Sequence, residues 1–220
     1  MDNTKYKEEE EHDHDHYNID TPMRADAFQM SDDEKVNIIQ EHFQAIMETL
    51  GLDMTDDSLK GTPKRVAKMY VNEMFWGLNP NNKPHVSHFK NKFRYSEMLI
   101  EKDINFYTNC EHHFVPFFGK VHIAYVPNGK VIGLSKLNRI VDYFAKRPQV
   151  QERMTMQIAN ELKTILNTEN VAVIINAKHL CVASRGIRDD SSHTTTAEYC
   201  GSFSQENVRL ELHRLLAITQ

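Results

Sequence analysis

The sequence predicts an α+β fold with mostly antiparallel strand pairing. Three observations support this fold class. Apolar residues recur at helical spacing in the first part of the chain, an alternating stretch near the middle ends in a tight turn, and two amphipathic helices are followed by two strand candidates. No internal repeat is present.

Two helices are expected before residue 84. The first begins after Ser31, which forms a capping box with Glu34, and ends at Gly51. The second begins at Thr62-Pro63, where a threonine cap precedes a proline at the first helical position, and ends at Gly77. Both stretches carry apolar residues along one helical face.

A β-hairpin is expected next. Residues alternate between the two faces of a strand over 120–125, Asn128-Gly129 has the composition of a tight turn, and Val131-Ile132 begin the return strand. The stretch before it, residues 84–109, is mixed and polar, and extended chain is expected around 93–106.

The last part of the chain predicts three helices and two strands. Ser135 is expected to cap the third helix, Pro148 to open the fourth and Ser204 to cap the last one. A short apolar strand is expected at 171–175 and another strand at 194–203.

The charge of the 220-residue chain is unevenly distributed. It carries 26 Lys and Arg against 31 Asp and Glu, a net charge of −5, but residues 1–20 alone carry −6 and the remainder +1. We therefore predict a disordered acidic His/Asp-rich arm at 1–30, an N-terminal helical region at 31–83 and the main domain at 84–220. The arm is either a solvated tail or a metal-binding segment.

Composition also excludes several classes of protein. No run of about 18 apolar residues is present, so no membrane span is expected, and the acidic start does not resemble a signal peptide. Three cysteines are too few for a disulfide framework, which indicates a reducing, cytoplasmic location. The near-neutral body does not suit a strongly basic nucleic-acid binder.

Two Cys–His clusters indicate a candidate metal centre. Cys110 lies three residues before His113, and His179 lies two residues before Cys181. Thiolates and imidazoles are the ligands that zinc prefers. Three interpretations stay open: buried free cysteines beside core histidines, a closed structural site completed by Cys200, or an open site of Cys110, His113 and Cys181 with water in the fourth position.

Two further imidazoles lie next to these candidate ligands. His112 directly precedes one of them, and His179 belongs to the second cluster. In an open site, both side chains would lie beside the metal-bound water and suit proton transfer near neutral pH.

Basic residues supply a candidate anion site. Ser135-Lys136 opens the third helix and Arg139 lies one turn later, where a helix N-terminus with cations nearby favours phosphate. Arg185 lies just before a hydroxyl-rich stretch at 191–196. A solvated helix face accounts for the same residues equally well, and the local pattern leaves both interpretations open.

A polar cluster at 147–153 precedes the predicted fourth helix. Such clusters normally supply caps and dipole partners. Gln151 and Glu152 have a second interpretation, because an amide and a carboxylate match the edge of a purine, and a carboxylate accepts from the two adjacent N–H groups of guanine. The local sequence does not decide between them.

In combination, these motifs resemble the GTP cyclohydrolase I family. The resemblance covers about residues 31–220, and the acidic arm lies outside it. The matching segments are TPKRVA at 62–67, CEHH at 110–113 with Pro116-Phe117, GLSK at 133–136, RPQVQER at 147–153, His179, Cys181 and Arg185-Gly186. No single motif is specific, but the ordered set is.

The resemblance implies a tunnelling fold, in which an antiparallel sheet carries two helices on one face after an N-terminal helical region. It implies a toroidal homodecamer with active sites at subunit interfaces. It also implies zinc-dependent conversion of GTP and water to formate and 7,8-dihydroneopterin triphosphate, the first step of tetrahydrofolate and pterin biosynthesis.

The resemblance also implies a role for individual residues. The implied zinc ligands are Cys110, His113 and Cys181. The implied proton-transfer groups are His112 near the guanine five-membered ring and His179 on the ribose side. Guanine recognition is implied for Gln151 and Glu152. The implied ribose-triphosphate contacts are Ser135, Lys136, Arg139 and Arg185, with Arg65 and Lys68 adding charge from another subunit.

Other classes of protein remain compatible with parts of the sequence. A non-catalytic, zinc-stabilised interaction protein would use Cys200 as a fourth ligand. A related enzyme acting on another purine or pterin would not need Lys136 and Arg139, so GDP or guanosine would serve as well as GTP. A nucleic-acid-binding module is disfavoured, because the body lacks a basic-aromatic stripe.

Overall fold

The structure, a computed structural model, describes residues 19–218. Its helices are α1 (Asp32–Thr49), α2 (Thr62–Met69), α3 (Leu134–Ala145), α4 (Gln151–Leu166), α5 (Leu180–Ala183) and α6 (Glu206–Leu216). Its strands are β1 (His88–Lys90), β2 (Leu99–Cys110), β3 (Pro116–Tyr125), β4 (Lys130–Ile132), β5 (Pro148–Gln149), β6 (Val171–His179) and β7 (Thr194–Tyr199). The α+β class predicted from the sequence is confirmed.

The first helix follows its local sequence signals closely. Ser31 Oγ accepts from the Glu34 backbone N–H, and the Glu34 carboxylate accepts from the Ser31 N–H, so the capping box is confirmed. Gly51 has a φ of 83°, as expected for the residue that ends α1. The second helix is not α-helical as far as Gly77. Helix α2 ends at Met69, and a π-helical turn follows at Tyr70–Met74.

Five strands form the main sheet in the order β5-β2-β3-β6-β7. All neighbouring strands are antiparallel except β2 and β5, which are parallel. Helices α3 and α4 pack on one face of this sheet and share its main core. Alternate residues of a strand point to opposite faces, so Ala172 and Ile174 of β6 pack on the other side, with Leu212 of α6.

The predicted hairpin is wrong. Both edges of β3 are already occupied, by β2 and β6, and β4 pairs instead with β1 in a separate two-stranded sheet. Pro127 follows β3 and has no N–H with which to continue a ladder, while the Val126 N–H donates to the Asn170 carbonyl. The Asn128-Gly129 turn therefore carries the chain away from the main sheet.

Four predicted helix starts are displaced. Gly61, not Thr62, occupies the cap of α2. Gly133 occupies the cap of α3 and Ser135 lies inside the helix, while Val150 occupies the cap of α4 and Pro148 belongs to β5. Helix α6 begins after Gln205, one residue later than expected. The β5 pairing holds Pro148 extended beside β2, which accounts for the later start of α4.

The start of the described chain contacts the body of the molecule at Ile19 and Thr21. The Gln157 Nε2 amide donates to the Ile19 carbonyl at 2.6 Å, and Arg147 contacts Thr21 Oγ1 at 3.5 Å. The rest of the predicted acidic arm, residues 1–18, lies outside the described residues, and the domain boundaries at residues 30 and 83 stay predictions. Within the described part of the chain, no helix is both long and apolar enough to cross a membrane.

Candidate metal centre and its surroundings

The two Cys–His clusters meet at one end of the main sheet. Cys110 is the last residue of β2, His113 lies in the turn that follows, and Cys181 lies in α5 directly after β6. Strand β3 lies between β2 and β6, and its register pairs Asn109 with Pro116 and Phe117 with His179. The two Sγ atoms and a His113 ring nitrogen consequently lie within 4.8 Å of one another.

A tight turn fixes the first two ligands. The Phe114 N–H donates to the Cys110 carbonyl at 2.8 Å, and Phe114 adopts a left-handed conformation with φ of 53°. The Asn109 side-chain amide donates to the Phe114 carbonyl at 3.1 Å and so holds the far side of the turn. In this arrangement Cys110 Sγ lies 3.6 Å from His112 Nδ1 and 3.9 Å from His113 Nδ1.

The donor set fits a zinc ion. Burial, and then the neighbouring Cys110 group, raise the pKa of the Cys181 thiol, so the thiolate form that binds a metal would need a nearby cation to stabilise it. Two sulfurs and one imidazole nitrogen are the ligand types that zinc prefers, and three protein ligands leave a fourth position open. Cys110 is buried, whereas His113 is exposed, so the centre can be reached from solvent.

Cys200 does not belong to this centre. Its backbone N–H donates to the Val171 carbonyl at the start of β6, whereas Cys181 follows the end of the same strand. Nine residues of extended strand separate these two ends, a distance of roughly 26 Å. The closed interpretation, with Cys200 of the same chain as fourth ligand, is therefore wrong for this fold, and Cys110, His113 and Cys181 remain the candidate ligands.

His179 is held from two sides near the candidate ligands. Its Nε2 atom lies 2.8 Å from Gln151 Oε1, and its ring stacks on Phe117 with the ring centroids 4.4 Å apart. Burial lowers the pKa of His179, and the nearby Glu152 carboxylate opposes this effect. The imidazole is therefore neutral over a wider pH range than an exposed histidine would be.

The Gln151 side chain is already used within the protein. It is 2% exposed, and its Nε2 amide donates to the carbonyls of Ile175 and Thr194 and to Thr196 Oγ1 at 3.0–3.2 Å. Of the two residues predicted to meet a purine edge, Gln151 is buried and Glu152 is exposed. Only the Glu152 carboxylate, at the start of α4, is open to solvent.

An ion pair missed by the sequence analysis lies beside the turn. Arg153 of α4 forms a bidentate pair with Glu111, and one of its two bonds, from Nη2 to Oε1, measures 3.1 Å. Glu111 Oε1, the oxygen that accepts from Arg153 Nη2, also lies 3.9 Å from His112 Nε2. The only signal for it in the sequence is an arginine in the first turn of a helix, where the helix dipole disfavours a cation.

The predicted phosphate contacts are not gathered at the metal centre of the same chain. Ser135, Lys136 and Arg139 lie in the first turns of α3, whereas the end of α3 leads into β5, which pairs with Asn109 and Cys110. A helix of 12 residues is roughly 18 Å long. Ser135 and Lys136 therefore lie at the far end of α3 from the metal centre, and Arg139 lies near the middle of the helix.

The other predicted basic residues occupy two separate places. Arg185 lies two residues after the end of α5 and four residues after Cys181, so it is close in sequence to one candidate ligand. Burial raises the pKa of Cys181, and the Arg185 charge partly opposes that rise. Arg65 and Lys68 are exposed on α2, where Arg65 donates to Thr62 Oγ1 at 2.8 Å and to the Ser58 carbonyl at 3.1 Å.

The fold and the site define an α+β protein with an open, three-ligand Cys-His-Cys centre that can hold a metal ion. The GTP cyclohydrolase I family model matches residues 39–217. This chain belongs to the GTP cyclohydrolase I family.

Curated relatives have similar sequences over nearly their whole length. GTP cyclohydrolase 1 of Flavobacterium johnsoniae is 52% identical over 96% of this chain and 95% of its own. GTP cyclohydrolase 1 of Aeromonas salmonicida is 52% identical over 88% of each chain, and that of Erwinia tasmaniensis is 50% identical over 89% of each. A solved structure of the archaeosine synthase QueF-Like in the apo form covers 46% of this chain and 90% of that chain, with 16% identity and a TM-score of 0.38.

Proposed function

We propose that this protein is a zinc-dependent GTP cyclohydrolase I, which converts GTP and water to formate and 7,8-dihydroneopterin triphosphate. This is the first step of tetrahydrofolate and pterin biosynthesis. The observation that carries the proposal is the convergence of Cys110, His113 and Cys181 beside two histidines in a chain of this family.

Zinc fits the centre by donor chemistry, and Cys110, His113 and Cys181 would hold it. When bound, it supplies a Lewis acid that activates water for attack on the carbon between the two nitrogens of the imidazole ring of guanine. Cys200 lies at the opposite end of β6, which argues against the rival class of closed structural zinc sites.

The two histidines divide the proton transfers. His112 lies 3.6 Å from the Cys110 sulfur, and we assign it to protonate the ring nitrogen of guanine as the five-membered ring opens. His179 is the second acid–base group, on the ribose side, and its lowered pKa favours the neutral form that accepts a proton. Hydrolysis of the resulting formamide releases formate, and the opened ribose closes a new ring onto the freed amine.

Guanine recognition is assigned to the start of α4. The exposed Glu152 carboxylate accepts from the two adjacent N–H groups of guanine, a pattern that adenine lacks. Gln151 supports this subsite from beneath, because its carbonyl oxygen holds His179 and its amide is anchored to the backbone of β6.

The triphosphate is assigned to basic residues from more than one chain. Arg185 lies four residues after the candidate ligand Cys181 of its own chain, whereas Ser135 and Lys136 lie at the other end of α3 and Arg139 near its middle. A second copy that places the start of its α3 beside the first copy's metal centre would complete the site, and Arg65 and Lys68 would add charge from a further copy.

Self-association is part of the proposal, as a toroidal homodecamer of tunnelling-fold subunits. Large apolar side chains are exposed along and after α1, including Ile38, Ile46 and Leu50 at 40%, 52% and 74%. Strand β7 leaves one edge of the main sheet unpaired within the described residues, and such an edge can pair with another chain.

A product assay tests the proposed function. The zinc-loaded protein is incubated with GTP, and formate and the pterin product are both measured. We expect the two products in equal amounts, with GDP and guanosine turned over far less well than GTP. Formate without pterin would indicate a hydrolase that stops after ring opening, and equal use of guanosine would indicate a related enzyme with another substrate.

A further inference from the structure

The Glu111–Arg153 ion pair joins the two parts of the candidate active site. Glu111 lies between the metal ligand Cys110 and the proposed acid His112, while Arg153 directly follows Glu152 in the first turn of α4. The bidentate geometry fixes both the distance and the relative orientation of the turn and the helix.

Placing this ion pair at the start of α4 costs free energy for two reasons. Arg153 places a positive charge at the N-terminus of α4, where the helix dipole opposes it. The Arg153 and Glu111 side chains are only 19% and 24% exposed, so both charges have lost most of their hydration. Each charge therefore depends on the other, and removing either leaves a partly buried charge without its partner.

The pair acts on the turn that carries the metal ligands. The Glu111 backbone N–H donates to the Gln149 carbonyl at 3.1 Å, so its main chain is tied to β5 while its side chain is tied to α4. The carboxylate also lies 3.9 Å from His112 Nε2, on the side of that imidazole away from the Cys110 sulfur, which lies 3.6 Å from Nδ1. His112 is therefore flanked by two groups whose positions depend on the same turn.

We propose that Glu111 and Arg153 form a positioning pair that aligns the Cys110–His113 turn and His112 with the guanine-recognition end of α4. Neither residue contacts GTP in this assignment. The pair acts through the metal ligands and through His112, and the proposal rests on the proposed function for the identity of the substrate. Outer contacts that orient metal ligands typically change metal affinity or activity by about 10–100-fold when lost.

Single and double glutamine variants of the full-length protein test the pair. In Arg153→Gln and in Glu111→Gln, we expect zinc affinity, measured by competition with a chelator, to fall about 10–100-fold. The kcat should fall while the KM for GTP changes little, because the substrate contacts are untouched. The double variant should be no worse than the poorer single variant, since the two residues act as a unit.

Lys83→Gln is the matched control. It breaks the Lys83–Glu161 ion pair, which also ties helix α4 to another segment but lies away from the turn. We expect its zinc affinity and kcat to match the wild type. If Arg153→Gln does not fold, Glu111→Gln and Arg153→Lys carry the test, because the first preserves side-chain size and the second preserves charge while losing the bidentate geometry.

Two results would overturn the positioning role. One is wild-type zinc affinity and kcat in both single variants, and the other is independent losses that add in the double variant. Zinc affinity is measured without GTP, so it tests the pair even if the wild-type protein makes no formate. A failure of the proposed function is therefore distinguishable from a failure of this inference.

Discussion

The Nε2 atom of His179 lies 2.8 Å from the Oε1 atom of Gln151. The Gln151 amide nitrogen faces three acceptors, so the atom turned toward His179 is the oxygen, and the histidine must donate to it. In its neutral form His179 therefore carries its proton on Nε2 and keeps a free lone pair on Nδ1. Together with stacking on Phe117, this hydrogen bond fixes the imidazole as an oriented acceptor.

Replacing Gln151 by leucine should disorient this imidazole. We expect kcat to fall by about 10²-fold, as for other small misplacements of a catalytic group. Stability should fall by about 1–3 kcal/mol because buried carbonyls lose a donor. The matched control is Gln157→Leu on the same helix, which removes an equally buried amide that bonds to Gln149 and Ile19. It should lose stability and retain kcat, and equal kcat losses in both variants would contradict the role of Gln151.

The zinc content of cysteine variants should distinguish the candidate ligand Cys181 from Cys200. Cys181→Ser should lose most bound zinc after dialysis, because one of three protein ligands is replaced by a poorer donor. Cys200→Ser should keep stoichiometric zinc, since Cys200 lies at the other end of β6. The measurement is elemental analysis of the purified proteins, and retention of zinc by Cys181→Ser would remove that ligand from the centre.

Protonation of His122 should lower the free energy of unfolding in mild acid. Its Nδ1 atom accepts the Asp103 N–H at 3.2 Å, in a β-bulge where Asp103 has a φ of 63°. Burial lowers the pKa of His122 below its ordinary value of 6.5. As pH falls below 6.5, the unfolded chain binds the proton first, so the free energy of unfolding decreases until the folded-state pKa is passed.

The variant His122→Asn tests this pH dependence. Asparagine does not titrate in this range, and its side-chain oxygen can accept the same N–H. Thermal unfolding is followed at pH values on both sides of 6.5, and the difference in Tm between wild type and variant is plotted against pH. We expect that difference to change below 6.5 and to be constant above it. A difference that is flat at every pH would contradict the assignment.

Gly119 should not tolerate a side chain. A Cβ atom there would lie 2.0 Å from the Asn176 carbonyl oxygen, so β3 and β6 would have to separate. We expect Gly119→Ala to destabilise the fold by more than about 2 kcal/mol and to weaken zinc binding, because this pairing aligns the two ligand clusters. Gly133→Ala is the control, since its Cβ would meet nothing closer than 3.8 Å, and chemical denaturation measures both.

A subunit-mixing experiment tests whether the site is shared between chains. Cys181→Ser lacks a metal ligand and Lys136→Ala lacks a phosphate contact, so each homo-oligomer should be nearly inactive. Oligomers assembled from both variants should recover activity, because some sites then combine an intact metal centre with an intact start of α3. Activity no greater than that of the two separate variants would indicate that each chain builds its own site.

Local features of the fold were predictable from the sequence, whereas strand partners were not. The Ser31–Glu34 capping box depends on only four consecutive residues, and the structure contains it. The hairpin at Asn128-Gly129 has an equally clear local signal, but β3 finds its partners in β2 and β6. Pairing depends on competition between distant segments, which a local pattern does not report.

In the candidate site too, features set by local spacing were predictable, whereas features set by packing were not. Cys110 and His113 were predictable as a pair because zinc ligands have a characteristic spacing. The hydrogen bonding of Gln151 and the Glu111–Arg153 ion pair were not, because each depends on how α4 packs against β2 and β6. The separation of Lys136 from the metal centre likewise follows from sheet topology and from the length of α3.

The fate of one carbon atom tests the account most directly. GTP isotopically labelled at C8 of guanine is converted by the zinc-loaded protein, and the label is followed by NMR in formate and in the pterin product. Ring opening at the Cys110–His113–Cys181 centre predicts that all of the label appears in formate, with one formate for each dihydroneopterin triphosphate. Label retained in the pterin product, or GTP left unchanged by fully zinc-loaded protein, would contradict the account.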